Sequence, residues 1–184
     1  MKGSDLVSSI LGLIQNNKID DDISLAKKGD NVAFERLVND HSISLYRVAK
    51  GMLKNEADIE DAFQETILNA YKQIHLLKRN DYFKTWLIKI MINECTNLLR
   101  NKKRTVYLDE LNLVTIDKNN EFHKFELMDL INCLEEDLKI VTLLYYYEDL
   151  PQKEIGELLN IPHGTVRSRL SRAKESLRQL LDVE

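Results

Sequence analysis

An all-α fold is predicted, with two small helical domains joined by a flexible linker and a helix-turn-helix in the second domain. Three observations in the 184-residue chain carry that expectation. Glycine and proline are scarce, at six and two residues, a composition that favours helices over strands and turns. Apolar residues return at helical spacing on both sides of a central gap. That gap, Thr105 to Phe122, has no sustained period and holds Asp109, Glu110, Asp117 and Glu121 against Lys118 alone, as a linker would. The division expected is a leader at 1–21, an amino-terminal domain at 22–104, the linker at 105–122 and a carboxy-terminal domain at 123–184.

In the leader, Leu6, Val7, Ile10, Leu11 and Ile14 could line a short amphipathic helix, too short to be stable alone. Stronger patterning begins near Ile23. Gly29–Asp30 interrupts it, and Asp30 or Asn31 can cap the helix that follows. Phe34, Leu37, Val38, Leu45, Val48, Ala49 and Met52 carry that helix to about Leu53. Asn55–Asp58 reads as the next start, with a side-chain cap and acids in the first turn, where the helix dipole favours them. It runs to about Leu77 and should bury Ala62, Phe63, Ile67, Ala70, Tyr71 and Ile74. A polar loop at Lys78–Tyr82 precedes a third helix from Phe83 to about Arg100, with Trp86, Leu87, Ile90 and Leu98 on its apolar side. The second domain should hold helices at about His123–Leu134, Glu136–Glu148, Gln152–Leu159 and Thr165–Leu181. Pro151 suits the first turn of its helix, and Ile161–Gly164 makes a tight break between the last two.

The net charge of −4 conceals a segregated distribution. Glu56, Asp58, Glu60, Asp61 and Glu65 fall within ten residues that contain no base. Lys84, Lys89, Arg100, Lys102, Lys103 and Arg104 face only Glu94 between positions 84 and 104. Arg167, Arg169, Arg172, Lys174 and Arg178 face only Glu175 between 163 and 179. Two basic stretches on an acidic chain suit two nucleic-acid contacts and a separate surface for a basic partner, although solvated helix faces would look the same by charge alone. Cys95 and Cys133 lie in apolar patterns and read as buried reduced thiols, with no disulfide framework or metal spacing. The start of the chain lacks the pattern of a signal peptide, and no apolar run approaches the ~20 residues that span a bilayer, so a cytoplasmic location is expected. His41, His75, His123 and His163 are scattered, with no His-Glu-x-x-His, Cys-x-x-Cys or phosphate-gripping glycine loop. No enzyme activity, metal or cofactor is expected.

The sharpest local pattern is the helix of about eight residues, the short turn and the longer basic helix near the carboxy end, the outline of a helix-turn-helix. At 100° per residue Val166, Leu170, Ala173 and Leu177 share one arc and must face the core. Ser168, Ser171, Arg172 and Glu175 lie opposite, with Thr165 near the start. Arg167 and Lys174 flank one side and Arg169 the other. Small hydroxyls and one arginine then stand where base edges would be, with cations on both shoulders for phosphates. Gly164 and Thr165 leave backbone amides open at the helix start.

The segment Leu134–Arg178 includes Glu154–Gly156, Ile161–Pro162 and the run Gly164–Ala173. It resembles the carboxy-terminal, −35-binding domain of extracytoplasmic-function (ECF) sigma factors. Ala57–Glu65 is similar to that family's surface for the polymerase clamp, and Phe83–Ile90 with Asn93 and Arg100–Arg104 to its −10-reading segment. The resemblance covers about Ile23 to Leu181 in the family's order. It implies polymerase contacts at Asp58, Asp61, Gln64 and Glu65, and −10 contacts at Lys78, Arg79, Asn80, Lys84, Trp86, Lys89, Asn93 and Arg100. For the −35 element it implies Gly164, Thr165, Arg167, Ser168, Arg169, Ser171, Arg172 and Lys174. It further implies core RNA polymerase, promoter DNA and a membrane-anchored anti-sigma factor as partners. A stand-alone helix-turn-helix regulator would explain 123–181 but not the acidic strip or the first basic segment. The chain departs from the family's commoner pattern at Met91–Ile92, Tyr145–Tyr147 and His163.

Overall fold

A computed structural model describes residues 18–106 and 127–181, and these form helices and turns with no strand. The leader helix drawn at Ser4–Ile14, and all of the linker after Val106, lie outside the described residues. Helix α1 occupies residues 18–26, so the expected leader boundary at residue 21 falls inside a helix. It packs Ile23 and Ala26 into the core, and its buried Asp22 is gripped by the Arg36 guanidinium, whose Nε lies 3.1 Å away. Gly29, at φ +94°, makes the turn that L side chains resist, and Asp30 then caps α2 (Asn31–Met52) by accepting the Ala33 amide at 2.9 Å. Asn55 caps α3 (Glu56–Gln73) in the same way through the Ala57 amide. Two short 3₁₀ turns, Ile74–Leu76 and Asn80–Tyr82, lead into α4 (Phe83–Val106), which overruns the expected linker start at Thr105.

The second half contains α5 (Leu127–Asn132), α6 (Glu136–Tyr146), α7 (Gln152–Leu159) and α8 (His163–Leu181). The break between α7 and α8 is made differently from the expectation. Asn160 takes the left-handed conformation at φ 53°, and His163 and Gly164 already belong to α8. Asparagine tolerates that backbone because its short polar side chain avoids the penalty a branched residue would meet. Pro151 is the cap before α7, not a residue of its first turn.

Periodicity located the apolar faces except at particular residues. Tyr71 is 45% exposed, its ring edge on Phe34 and its hydroxyl donating to Asn31 at 2.7 Å. Cys133 stands in the turn after α5 and is exposed, whereas Cys95 is buried. Burial pushes the Cys95 thiol up to about 12, the backbone lowering it only in part. One continuous core joins the halves, running from Leu45, Val48 and Met91 to Val141, Leu144, Leu150 and Ile155. A smaller cluster of Ile131, Leu134, Leu138, Leu143 and Ala173 fixes α8 under α5 and α6. Apolar burial of this kind contributes about 25 cal/mol per Å².

Candidate nucleic-acid interface

Three surfaces follow from this scaffold. On α8, Val166, Leu170 and Ala173 are buried and Leu177 is half-buried, which turns the opposite face outward. Arg167, Ser168, Ser171, Arg172 and Lys174 are exposed, as is Gly164, while Thr165 is half-buried. Ser168 donates to the Thr165 carbonyl at 3.0 Å, and Arg172 reaches Glu135 at 3.4 Å. Both partners of that ion pair are largely exposed, so it is weak and easily exchanged for another anion. Arg169 departs from the expected arrangement. Its guanidinium is held by Asp137 of α6 and it lines the cleft between the halves, so it is not a free shoulder for phosphate in this conformation.

The second surface is on α4 and the turn before it. Lys89 and Asn93, one helical turn apart, are both exposed, as are Lys78 and Arg100. Arg79 pairs with Asp81 at 2.9 Å and lies over the Tyr82 ring, while Asn80 accepts from Lys27 at 2.8 Å. Trp86 is half-buried against Phe83. Half-buried Lys84 reaches to the other half of the molecule, where its Nζ sits 3.0 Å from Glu148.

The third surface is the acidic strip of α3. Asp61 and Glu65 line a hollow with Glu94, Asn97 and Arg100 of α4. Gln64 and Glu60 line a separate apolar groove on the α2 side, with Ile43, Tyr46 and Phe63. Asp61 and Glu65 therefore open onto one hollow, and Glu60 and Gln64 onto another. Asp58 is tied by Lys102 at 2.5 Å and its side chain is only 16% exposed, so its carboxylate is already engaged.

Glu148 is the charged residue that periodicity did not single out. It is 3% exposed and lies just beyond α6. The Ser44 hydroxyl donates to it, Arg47 Nη1 lies 2.8 Å from its carboxylate, and Lys84 also reaches its backbone carbonyl at 3.1 Å. Burial alone would raise the Glu148 pKa. The donors from Ser44, Lys84 and Arg47 outweigh it and hold the carboxyl below its ordinary range. An acid directly after three tyrosines in an apolar run was the only trace of this in the sequence.

A two-domain, all-helical molecule with a basic helix-turn-helix and a second basic helical face is the build of a promoter-reading transcription factor. Residues 37–105 match sigma-70 region 2 and residues 124–177 match sigma-70 region 4. The chain is 32% identical over 176 residues to the ECF RNA polymerase sigma factor SigW of Bacillus subtilis, covering 86% of this chain and 94% of that protein. It is 30% identical over 150 residues to the RNA polymerase sigma factor SigV of the same organism, covering 80% and 90%. Among solved structures, the sigma factor RpoE of Bartonella quintana, crystallised with the anti-sigma factor NepR, superposes with a TM-score of 0.69 at 21% identity over 82% of this chain and 98% of that one. CnrH in complex with the cytosolic domain of CnrY superposes at 0.62 and 22% over 89% and 96%. The chain belongs to the ECF sigma factors of bacterial RNA polymerase. It is therefore a transcription initiation factor, a subunit that directs core polymerase to promoters. No helix among the described residues is long and apolar enough to cross a membrane.

Proposed function

We propose that this alternative sigma factor docks on core polymerase through Asp61, Gln64 and Glu65. In this reading it holds the −10 strand against Lys89, Asn93 and their neighbours, and reads the −35 element with Thr165, Arg167, Ser168, Ser171, Arg172 and Lys174. The observation that carries this assignment is the succession of one acidic and two basic exposed faces, the first two within the stretch that matches region 2 and the third within the stretch that matches region 4. An amino-terminal domain at 22–104, which α1 and α4 carry past both bounds, and a carboxy-terminal domain at 123–184 are joined by a linker, the chain works in the cytoplasm, and it catalyses no reaction itself. An anti-sigma factor holds it inactive until an envelope or stress signal arrives. That last element is supported by the fold shared with RpoE, solved with NepR, and with CnrH, solved with CnrY.

Run-off transcription with core polymerase on genomic promoters tests the assignment, with specific transcripts expected only when both proteins are present. Tight sequence-specific duplex binding by the chain alone, without transcripts, would instead identify a stand-alone regulator. Asp61→Lys should weaken core association in a pull-down while leaving helicity intact, because Asp61 is exposed and the fold does not use it. Unchanged core binding would remove Asp61 from the polymerase surface.

A further inference from the structure

Between the two halves, α2 and the first turn of α4 form a polar notch floored by apolar contacts. Gly51 of α2 provides the closeness: a Cβ there would come within 2.3 Å of Leu143 Cδ1 of α6. Beside it Ser44, Arg47 and Lys84 converge on Glu148, whose side chain is 1% exposed. All three donors belong to the first half of the chain and the acceptor to the second. Directly after Glu148, Asp149 takes φ 54°, the left-handed conformation that a short polar side chain tolerates. Arg47 also lies over the Tyr147 ring at 4.7 Å, and Thr85 donates to Glu154 at 3.3 Å. A carboxylate this well enclosed by cations marks an anion site, and removing Glu148 would leave the partly exposed Arg47 and Lys84 facing each other without their shared anion. Lys84 is itself among the residues that the family resemblance assigns to the −10 strand, and on α4 it is turned about 140° from Lys89 and about 180° from Asn93.

We propose that Ser44, Arg47 and Lys84 form an anion pocket with two alternative occupants. Glu148 fills it in the closed molecule described here, and a backbone phosphate of the promoter strand fills it once the halves separate. Glu148 is then an internal competitor of DNA, and Ser44 and Arg47 join the DNA-contacting residues. The exchange rests on the promoter-binding role proposed above, while the closed state does not.

The test uses the full chain without polymerase. Small-angle scattering reads the separation of the halves, and fluorescence anisotropy reads binding of a labelled single-stranded −10 oligonucleotide. Glu148→Ala should expand the molecule and tighten oligonucleotide binding about tenfold, as when a tenth-populated competent state becomes the major one. Glu157→Ala, an equal charge change at an exposed site on α7, should do neither. Arg47→Ala should expand the molecule without tightening binding, and adding it to Glu148→Ala should abolish the gain. Circular dichroism verifies folding, and Arg47→Ala supplies a second opening of the interface if Glu148→Ala melts. Unchanged dimensions in both variants would overturn the latch. Expansion without tighter binding, or a gain that survives Arg47→Ala, would overturn the phosphate exchange. A wild-type chain inactive in run-off transcription would instead overturn the sigma reading and leave the scattering comparison standing.

Discussion

Two glycines eight residues apart, Gly156 in α7 and Gly164 in α8, should respond to alanine in opposite ways. At Gly156, in α7, a Cβ would stand 2.9 Å from the carbonyl oxygen of Ile161, a backbone atom that cannot swing aside. The turn is tied at that point, because the Ile161 amide donates to the Gly156 carbonyl at 3.0 Å. Overpacking of this kind costs about 1–3 kcal/mol. Alanine's better helix propensity returns at most about 1 kcal/mol. Gly156→Ala should therefore be destabilising by about 1 kcal/mol, with the strain falling on the α7–α8 angle that sets the helix-turn-helix. At Gly164, on α8, a Cβ would meet nothing within 4 Å. Only the propensity gain applies, so Gly164→Ala should be neutral or stabilising by up to about 1 kcal/mol. Urea unfolding followed by circular dichroism measures both, and run-off transcription at a promoter requiring its −35 element measures the reading geometry. Gly156→Ala should fail there more than Gly164→Ala. If Gly156→Ala proved as stable as Gly164→Ala, the close approach of turn and helix would not be a constraint on this motif.

Arg172→Ala should cost about 1–3 kcal/mol of specific −35 binding, since its contact with Glu135 is weak and exposed; normal initiation at a −35-dependent promoter would refute the face assignment. The Arg36 hydrogen bond holds Asp22 below its ordinary carboxylate pKa, with the charges of Arg36 and Lys18 assisting against burial. A depressed folded-state pKa gives stability that is present above the ordinary aspartate range and is lost as pH falls through the folded value. Wild type should thus lose more stability than Asp22→Asn on acidification, and parallel pH curves would refute the pairing. A thiol reagent at neutral pH should modify Cys133 rapidly and Cys95 only after unfolding, as mass spectrometry with and without denaturant would show.

The local grammar of this chain determined its helices. Asp30 and Asn55 cap because a short side-chain oxygen can reach an amide two or three residues ahead. The arc of Val166, Leu170 and Ala173 is buried because helical geometry places them on one face. The order of acidic and basic faces was legible for the same reason, since charge along a helix is a local pattern. What each charge meets was decided by tertiary structure. Asp58 and Lys102 lie 44 residues apart in the chain, and Arg169 and Asp137 lie 32 apart. Tyr71 and Cys133 look apolar by position, but neighbouring elements do not cover them. Glu148 meets Arg47 across 101 residues and Ser44 across 104. A carboxylate beside an apolar run reads identically whether water or a cationic notch faces it, so packing alone gave Glu148 its partners.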